Sequence, residues 1–221
     1  MYISPLYLLL VGVTLALGLS TQAYVNHMLK KYSREQSQLG ITGAEMANKM
    51  LADSGVHGVK VLQGSPGQDH YNPKNKSISL SPEVYGERTI TAMSVACHEV
   101  GHAVQHAESY TPMTLRSAII PVVNFTSNIW MFVFLAGVLL TINGLIDLAI
   151  ILYSIAIVFQ LVTLPVELNA SRRAMAYLNA QAVAQTESNA AFSVLRACAL
   201  TYVAAALSSI LQLLYLLSQR R

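Results

Sequence analysis

Four long apolar stretches constrain the fold of this chain more than any other feature of its sequence. They are residues 2–25, the stretch between Arg116 and Asp147, residues 148–166, and the stretch between Arg196 and Arg220. A helix needs about 20 apolar residues to cross the hydrocarbon core of a bilayer, so each stretch is long enough to span a membrane. Charged residues make up only 11% of the chain, against about 25% in a typical soluble domain. The sequence therefore predicts a membrane protein with four spans.

The first stretch could be a cleaved secretory signal or an uncleaved anchor. A secretory signal carries positive charge before its apolar core, whereas Lys30 and Lys31 follow this stretch. We therefore expect residues 1–29 to form a first transmembrane anchor. The second and third spans would form a hairpin over residues 117–166, and the fourth span with the tail would occupy residues 197–221.

The distribution of basic residues predicts the orientation of these spans. Twelve of the fourteen Lys and Arg residues lie in segments 26–116 and 167–196. Because cytoplasmic loops carry an excess of basic residues, both segments would face the cytoplasm and both termini would lie outside. The net charge of +3 is explained by basic residues beside anionic lipid. We expect a multi-pass protein of the cell membrane, in contact with the lipid bilayer, with no nucleic-acid partner.

The longest segment outside the spans is residues 30–116. Its pattern of residues predicts a small α+β lobe. Thr42 precedes Glu45 by three residues, the spacing of a capping box, so a short helix should begin there and end near Gly55. Residues 69–81 combine a turn-forming Asn-Pro pair with apolar residues that alternate with serines, a pattern typical of a hairpin. A further helix is expected over residues 89–107.

The segment CHEVGHAVQH lies in the second half of that last helix. Positions i and i+4 share one helix face, so His98 and His102 can reach a single Zn²⁺. Glu99 lies one step round the helix, in the position of a general base for metal-assisted hydrolysis. Cys97 would point about 100° away from His98 and is not expected to bind the metal. A five-residue pattern with three fixed letters also arises by chance, so a third ligand is needed to support it.

His106 and Glu167 are the two residues that could complete the site. His106 would lie about 12 Å from His98 along a straight helix, too far to share one ion. Glu167 directly follows the third apolar stretch, where a rigid helix would hold it at the membrane surface. Two histidines and one glutamate leave a zinc position open, as catalytic zinc requires. The alternative is an interfacial glutamate paired with Arg172 or Arg173, while other carboxylates such as Glu187 are expected at the surface.

Four blocks of this sequence are similar to those of a known family. They read DHYNPKNKSISLSPEVY, VACHEVGHAVQHAESYTPMTLRS, PVVNF and LPVELNASRRA. The chain resembles the bacterial membrane zinc metallopeptidases, also called YugP-like neutral zinc metallopeptidases, over residues 1–221. That family is distantly similar to the HtpX-type and CAAX-prenyl proteases, which are gluzincins that pair an HExxH motif with a downstream glutamate.

The resemblance implies that His98, His102 and Glu167 bind Zn²⁺ and that Glu99 is the catalytic general base. Related enzymes often carry an acidic residue four positions after the downstream glutamate, where this chain has Ser171. Asn169 stands where the family more often has aspartate. Residues that could support the site or contact the substrate are Ser171, Asn169, Arg172, His106 and His70.

The expected fold is therefore mainly α, a four-helix transmembrane protein with a small cytoplasmic α+β zincin-like lobe. The lobe would comprise residues 30–116, and a second cytoplasmic segment, residues 167–196, would carry the third ligand. The expected function is zinc-dependent hydrolysis of peptide bonds in membrane or membrane-associated proteins, at an active site on the cytoplasmic side. A non-catalytic zinc-binding adaptor is the main alternative, because a metal transporter would need ionisable groups within the spans.

Three further expectations concern substrate binding and assembly. Residues 78–81 could align the substrate by adding it as an extra strand to the hairpin. His70, Tyr71 or His106 could stabilise the oxyanion. The small residues AAALSS at 204–209 are compatible with a homo-oligomer interface and equally with ordinary packing between spans.

Overall fold

The structure is a computed structural model that describes residues 5–181 and 183–218. Within these ranges the chain forms seven helices and three strands. The helices are α1 (Pro5–Tyr32), α2 (Gly43–Asp53), α3 (Pro82–Gly86), α4 (Ile90–Ala107), α5 (Thr111–Leu139), α6 (Asn143–Ala180) and α7 (Gln185–Ser218). The strands are β1 (Lys60–Gln63), β2 (His70–Asn72) and β3 (Ser77–Leu80).

Four helices of the described chain, α1, α5, α6 and α7, are long and apolar enough to cross a membrane. Their outer faces carry large exposed hydrophobic side chains, including Leu19, Phe132 and Leu139. Such surfaces are suited to lipid, because apolar side chains lose nothing by facing hydrocarbon. The expectation of four spans and of a mainly α fold is confirmed.

Helices α5 and α6 form an antiparallel hairpin joined by a three-residue turn at 140–142. Gly137 allows the two helices to approach closely, since an added Cβ would lie only 2.9 Å from Cγ1 and 3.0 Å from the backbone nitrogen of Ile146. Helix α7 packs against both α1 and α6. Two residues of its AAALSS segment, Ala204 and Ala206, are buried within this packing.

Helix α6 passes through the expected boundary between residues 166 and 167 without a break. Its 38 residues make it about 57 Å long at 1.5 Å per residue. The third span and the segment that carries Glu167 are therefore parts of one helix. The far end of α6 packs against α4 of the lobe.

The two helix starts expected in the lobe are both present. At the start of α2, the Thr42 hydroxyl accepts from the Glu45 amide and the Glu45 carboxylate accepts from the Thr42 amide at 2.7 Å, which completes a capping box. At the start of α4, the Thr89 hydroxyl accepts from the amide of Ala92. Both caps satisfy backbone donors that would otherwise be unpaired at a helix N-terminus.

The three strands form one sheet in the order β1-β3-β2. Strands β2 and β3 are antiparallel, as the hairpin pattern predicts, and β1 pairs with β3 in parallel. Because β3 is central, its backbone is already bonded on both edges, and the next amide, that of Ser81, donates to the Asp69 carboxylate. The expectation that a substrate strand adds at residues 78–81 is therefore wrong.

Helix α4 lies at the centre of the lobe, with 14 of its 18 residues buried. It packs against α2, α6 and α7, and its apolar residues share a core with Met46, Ile78 and Leu80. Cys97 is fully buried in that core, and burial raises the pKa of its thiol. Cys97 is therefore a packing residue on the side of α4 that faces away from the histidines. The same packing gives the histidine motif a rigid support.

Candidate metal centre

Three potential metal ligands converge where α4 meets α6. One donor atom each from His98, His102 and Glu167 lie within 4.8 Å of one another. Oε2 of Glu167 lies 3.2 Å from Nε2 of His98 and 3.5 Å from Nε2 of His102. Glu167 is only 1% exposed. Two imidazole nitrogens and one carboxylate oxygen form a donor set that zinc prefers, so these residues fit a zinc ion.

The second nitrogen of each imidazole is held by a polar side chain. Nδ1 of His98 lies 3.1 Å from the hydroxyl of Ser171, and Nδ1 of His102 lies 3.0 Å from Oε1 of Gln105. A carbonyl oxygen can only accept, so Nδ1 of His102 carries a proton, and Nε2 is the nitrogen that faces Glu167. Both partners orient their imidazole for a metal, and the Gln105 oxygen also fixes the position of the proton on Nδ1 of His102.

Gln105 was not identified from the sequence, although it is completely buried and joins the two helices of the site. Its Nε2 donates to the carbonyl oxygen of Val166 at 2.8 Å and to Oδ1 of Asn169 at 3.0 Å. These bonds fix the amide orientation, because an oxygen in the place of Nε2 could not donate. The available signal was its position three residues after His102, on the same face of α4.

A glycine sets the distance between the two helices. An added Cβ at Gly101 would lie 2.8 Å from the carbonyl oxygen of Ala170 and 3.1 Å from its Cα. Both of these atoms belong to the backbone of α6, so no side-chain movement could relieve the contact. The glycine between the two histidines therefore allows α6 to bring Glu167 within reach of both.

Arg116, near the start of α5, faces the other oxygen of the same carboxylate. Its Nη1 lies 3.6 Å from Oε1 of Glu167, while its Nε is buried and has no hydrogen-bond partner among the described residues. The expected alternative partners of Glu167 lie elsewhere: Arg173 pairs with Glu108 at 2.7 Å, and Arg172 is exposed. The pairing of Glu167 with either of these residues is therefore wrong.

The buried charges act on the protonation of His102. Burial lowers its pKa, but the contact with Glu167 and the charges of Glu99 and Glu167 raise it more, so the net shift is upward. A proton therefore competes with a metal ion for this imidazole, and metal binding at this site should release protons.

Glu99 faces a cleft rather than the contact between α4 and α6. Its side chain is 7% exposed, and together with His98 it lines a cavity of about 660 Å³. The walls of this cavity, here called the cleft, come from α1, α3, α4, α7 and the loops beside the sheet. Apolar residues that line it include Val25, Leu29, Val95 and Leu195. The cleft thus joins His98 and Glu99 to the C-terminal end of α1 and to the middle of α7.

Three of the residues proposed from the sequence to support the site lie away from it. Nδ1 of His106 lies 2.7 Å from the hydroxyl of Tyr71, and this pair lines a separate cavity of about 230 Å³ beside His57. His70 is exposed on strand β2 and Arg172 is exposed on α6. None of His70, His106 and Arg172 is among the described residues that line the cleft.

The four apolar helices and the His98, His102 and Glu167 donor set fit the class of membrane zinc metallopeptidases. The family model described as "Putative neutral zinc metallopeptidase" matches residues 7–221, so the chain belongs to that family. The chain is also similar to "Putative membrane protease YugP" of Bacillus subtilis (strain 168), with 48% identity over 204 residues, which cover 90% of each chain. No solved structure matches the chain.

Membership of this family implies Zn²⁺ as the cofactor, in agreement with the donor set of His98, His102 and Glu167. The similarity to a membrane protease and the four apolar helices together make the chain a multi-pass membrane protein. A peptidase acts on polypeptides, so a peptide substrate and the lipid bilayer are its two expected contacts.

Proposed function

We propose that this protein is a zinc-dependent endopeptidase that cuts membrane or membrane-associated proteins near the cytoplasmic surface. His98, His102 and Glu167 would hold the zinc ion, and Glu99 would act as the general base. The observation that carries the proposal is the convergence of three ligand atoms within 4.8 Å, beside a cleft that the Glu99 carboxylate also faces.

When bound, zinc would act as a Lewis acid that makes water more acidic and polarises a peptide carbonyl. The chain's own residues would prepare the site for that ion. Gln105 and Ser171 hold the two imidazoles by Nδ1, leaving each Nε2 directed at Glu167. Arg116 faces Oε1 of Glu167, which leaves Oε2 as the oxygen nearest the imidazoles.

Glu99 would move the proton that hydrolysis requires. As a water oxygen forms its bond to the carbonyl carbon, the Glu99 carboxylate accepts a proton from that water. The bond between carbon and nitrogen then breaks, and Glu99 passes the proton to the departing nitrogen. The products are a new carboxyl terminus and a new amino terminus, and Glu99 returns to its ionised form.

The position of the cleft supports a substrate that comes from the membrane. Two of its walls, α1 and α7, are membrane-spanning helices, and a third is the helix that carries Glu99. The basic residues concentrated in the lobe and around residues 167–196 support its position on the cytoplasmic side. Substrates would be polypeptides presented at the membrane surface, including segments that adjoin a transmembrane helix.

The decisive test compares Glu99→Gln with the wild type and with Glu35→Gln, which changes an exposed carboxylate outside the site. Glu99→Gln should retain its zinc, measured by mass spectrometry of the metal, and lose about 10²- to 10⁴-fold in the cleavage rate of labelled casein. Comparative proteomics of membranes from cells with each variant would then identify accumulating substrates. Bound zinc without any cleavage by the wild type would favour the non-catalytic adaptor.

A further inference from the structure

Among the described residues that line the cleft, one hydroxyl group is free to bind a substrate. Four of the five hydroxyl-bearing residues that line it within the described chain donate inside the protein. Their bonds are Ser33 to the Lys30 carbonyl, Ser81 to the Asp69 carboxylate, Thr91 to the Leu29 carbonyl and Thr201 to the Cys198 carbonyl. The fifth is Tyr202 of α7, and its hydroxyl has no hydrogen-bond partner in residues 5–181 and 183–218.

Tyr202 lies on α7, which forms one wall of the cleft. It lines the same cavity as His98 and Glu99, which belong to α4. Its phenol interacts electrostatically with Glu167, Arg116 and Glu99. A half-buried phenol that is under the influence of the site's charges and has no partner of its own is suited to donate a hydrogen bond to something in the cleft.

The residues expected from the sequence to stabilise an oxyanion do not occupy this position. The hydroxyl of Tyr71 is already in contact with His106, and both residues line the separate cavity near His57. His70 is exposed on β2. None of these three is among the described residues of the cleft that holds Glu99.

We propose that Tyr202 is a catalytic residue that donates its hydroxyl hydrogen bond to the carbonyl oxygen of the scissile peptide as negative charge develops there. The proposal rests on the proposed function, since it assumes that the cleft receives a peptide. Donors fixed in advance where charge develops are among the strongest contributions to catalysis, because they need no reorganisation during the reaction. The proton stays on Tyr202, and Glu99 performs the proton transfer.

The test is Tyr202→Phe, which removes only the hydroxyl. Its matched control is Tyr153→Phe, where the lost hydroxyl donates to the backbone of Ser209 outside the cleft. The substrate probe is a quenched fluorescent peptide with leucine on both sides of its central bond, chosen to match the apolar walls of the cleft. We expect Tyr202→Phe to lower kcat by about 10²- to 10³-fold, while KM stays within about twofold.

Three further measurements separate a catalytic role from a structural one. The zinc content of Tyr202→Phe should equal that of the wild type. A phosphinic analogue of the same peptide, which carries charged oxygens in place of the carbonyl, should bind Tyr202→Phe about 10²- to 10³-fold more weakly in calorimetry, in proportion to kcat. The uncleaved peptide should bind equally to Glu99→Gln and to the double variant Glu99→Gln, Tyr202→Phe.

The outcomes distinguish this proposal from the one on which it rests. Full turnover by Glu99→Gln would overturn the proposed function itself. An inactive Glu99→Gln together with a Tyr202→Phe that keeps wild-type kcat would overturn the role of Tyr202 alone. Loss of zinc, or weakening of the uncleaved peptide and its phosphinic analogue to the same degree, would also overturn that role. Because the calorimetry needs no turnover, it decides the question even for a slowly cleaved peptide.

Discussion

Replacement of Gly101 by alanine tests whether the close approach of α4 and α6 forms the metal centre. The new Cβ would lie 2.8 Å from the Ala170 carbonyl oxygen, whereas ordinary contact begins at 3.4 Å. The helices must therefore separate locally by about 0.6 Å (3.4 − 2.8), because the obstructing atoms belong to the backbone. Zinc sites tolerate deviations of only about 0.2 Å in their ligand distances. The substitution thus moves Glu167 away from the histidines by more than the ion accepts.

The expected magnitude follows from the strain. Overpacking of a well-packed interior costs about 1–3 kcal/mol. If the strain is expressed at the metal site, zinc affinity falls by about 5- to 150-fold. Competition with a fluorescent zinc chelator measures this change directly, and thermal unfolding with and without zinc shows whether the loss depends on the metal.

Gly144→Ala is the matched control for Gly101→Ala. Gly144 also lies in a helix, but an added Cβ there meets no atom within 4 Å among the described residues. This control should keep wild-type zinc affinity. If Gly101→Ala bound zinc as tightly as Gly144→Ala, the argument that this glycine sets the distance between the ligands would be refuted.

Two other substitutions test the polar supports of the site. Gln105→Leu removes the hydrogen bonds to His102 and to the Val166 carbonyl. It should weaken zinc binding by about 10- to 100-fold, measured by chelator competition. Unchanged zinc affinity would contradict the role of Gln105. Arg116→Met leaves the buried Glu167 without its cation and should destabilise the zinc-free protein by about 1–3 kcal/mol. Since zinc supplies positive charge to the same carboxylate, the melting temperature with zinc should fall less, and an equal fall in both states would refute that explanation.

The parts of the fold that could be predicted from the sequence are those with local causes. Apolar length alone identifies the four spans, and the capping box of Thr42 with Glu45 identifies the start of α2. The histidine motif depends only on helical spacing, so its shared face could also be predicted. The antiparallel hairpin of β2 and β3 has a local turn, but the parallel pairing of β1 with β3 leaves no comparable signal.

The supports of the candidate site could not be predicted because they depend on how distant segments pack. In the sequence, Arg116 is only one of the basic residues that indicate the orientation of the spans. In the structure it faces Glu167, which lies 51 residues further along the chain. Glu187 was expected at the surface, but it is buried and accepts hydrogen bonds from the Ser37 hydroxyl and the Gln38 amide. In both cases the partner lies on another element, and sequence spacing carries no information about it.

We expect the continuity of α6 to make the metal site sensitive to its lipid surroundings. About 36 Å of helix separate Asn143 from Glu167, so a tilt of about 2° around the Asn143 end would move the carboxylate by about 1 Å. A helix tilts when its apolar length does not match the bilayer. We therefore expect zinc retention to depend on acyl-chain length as well as on pH or chelator, and a preparation that loses its metal in one detergent should regain affinity in a thicker nanodisc.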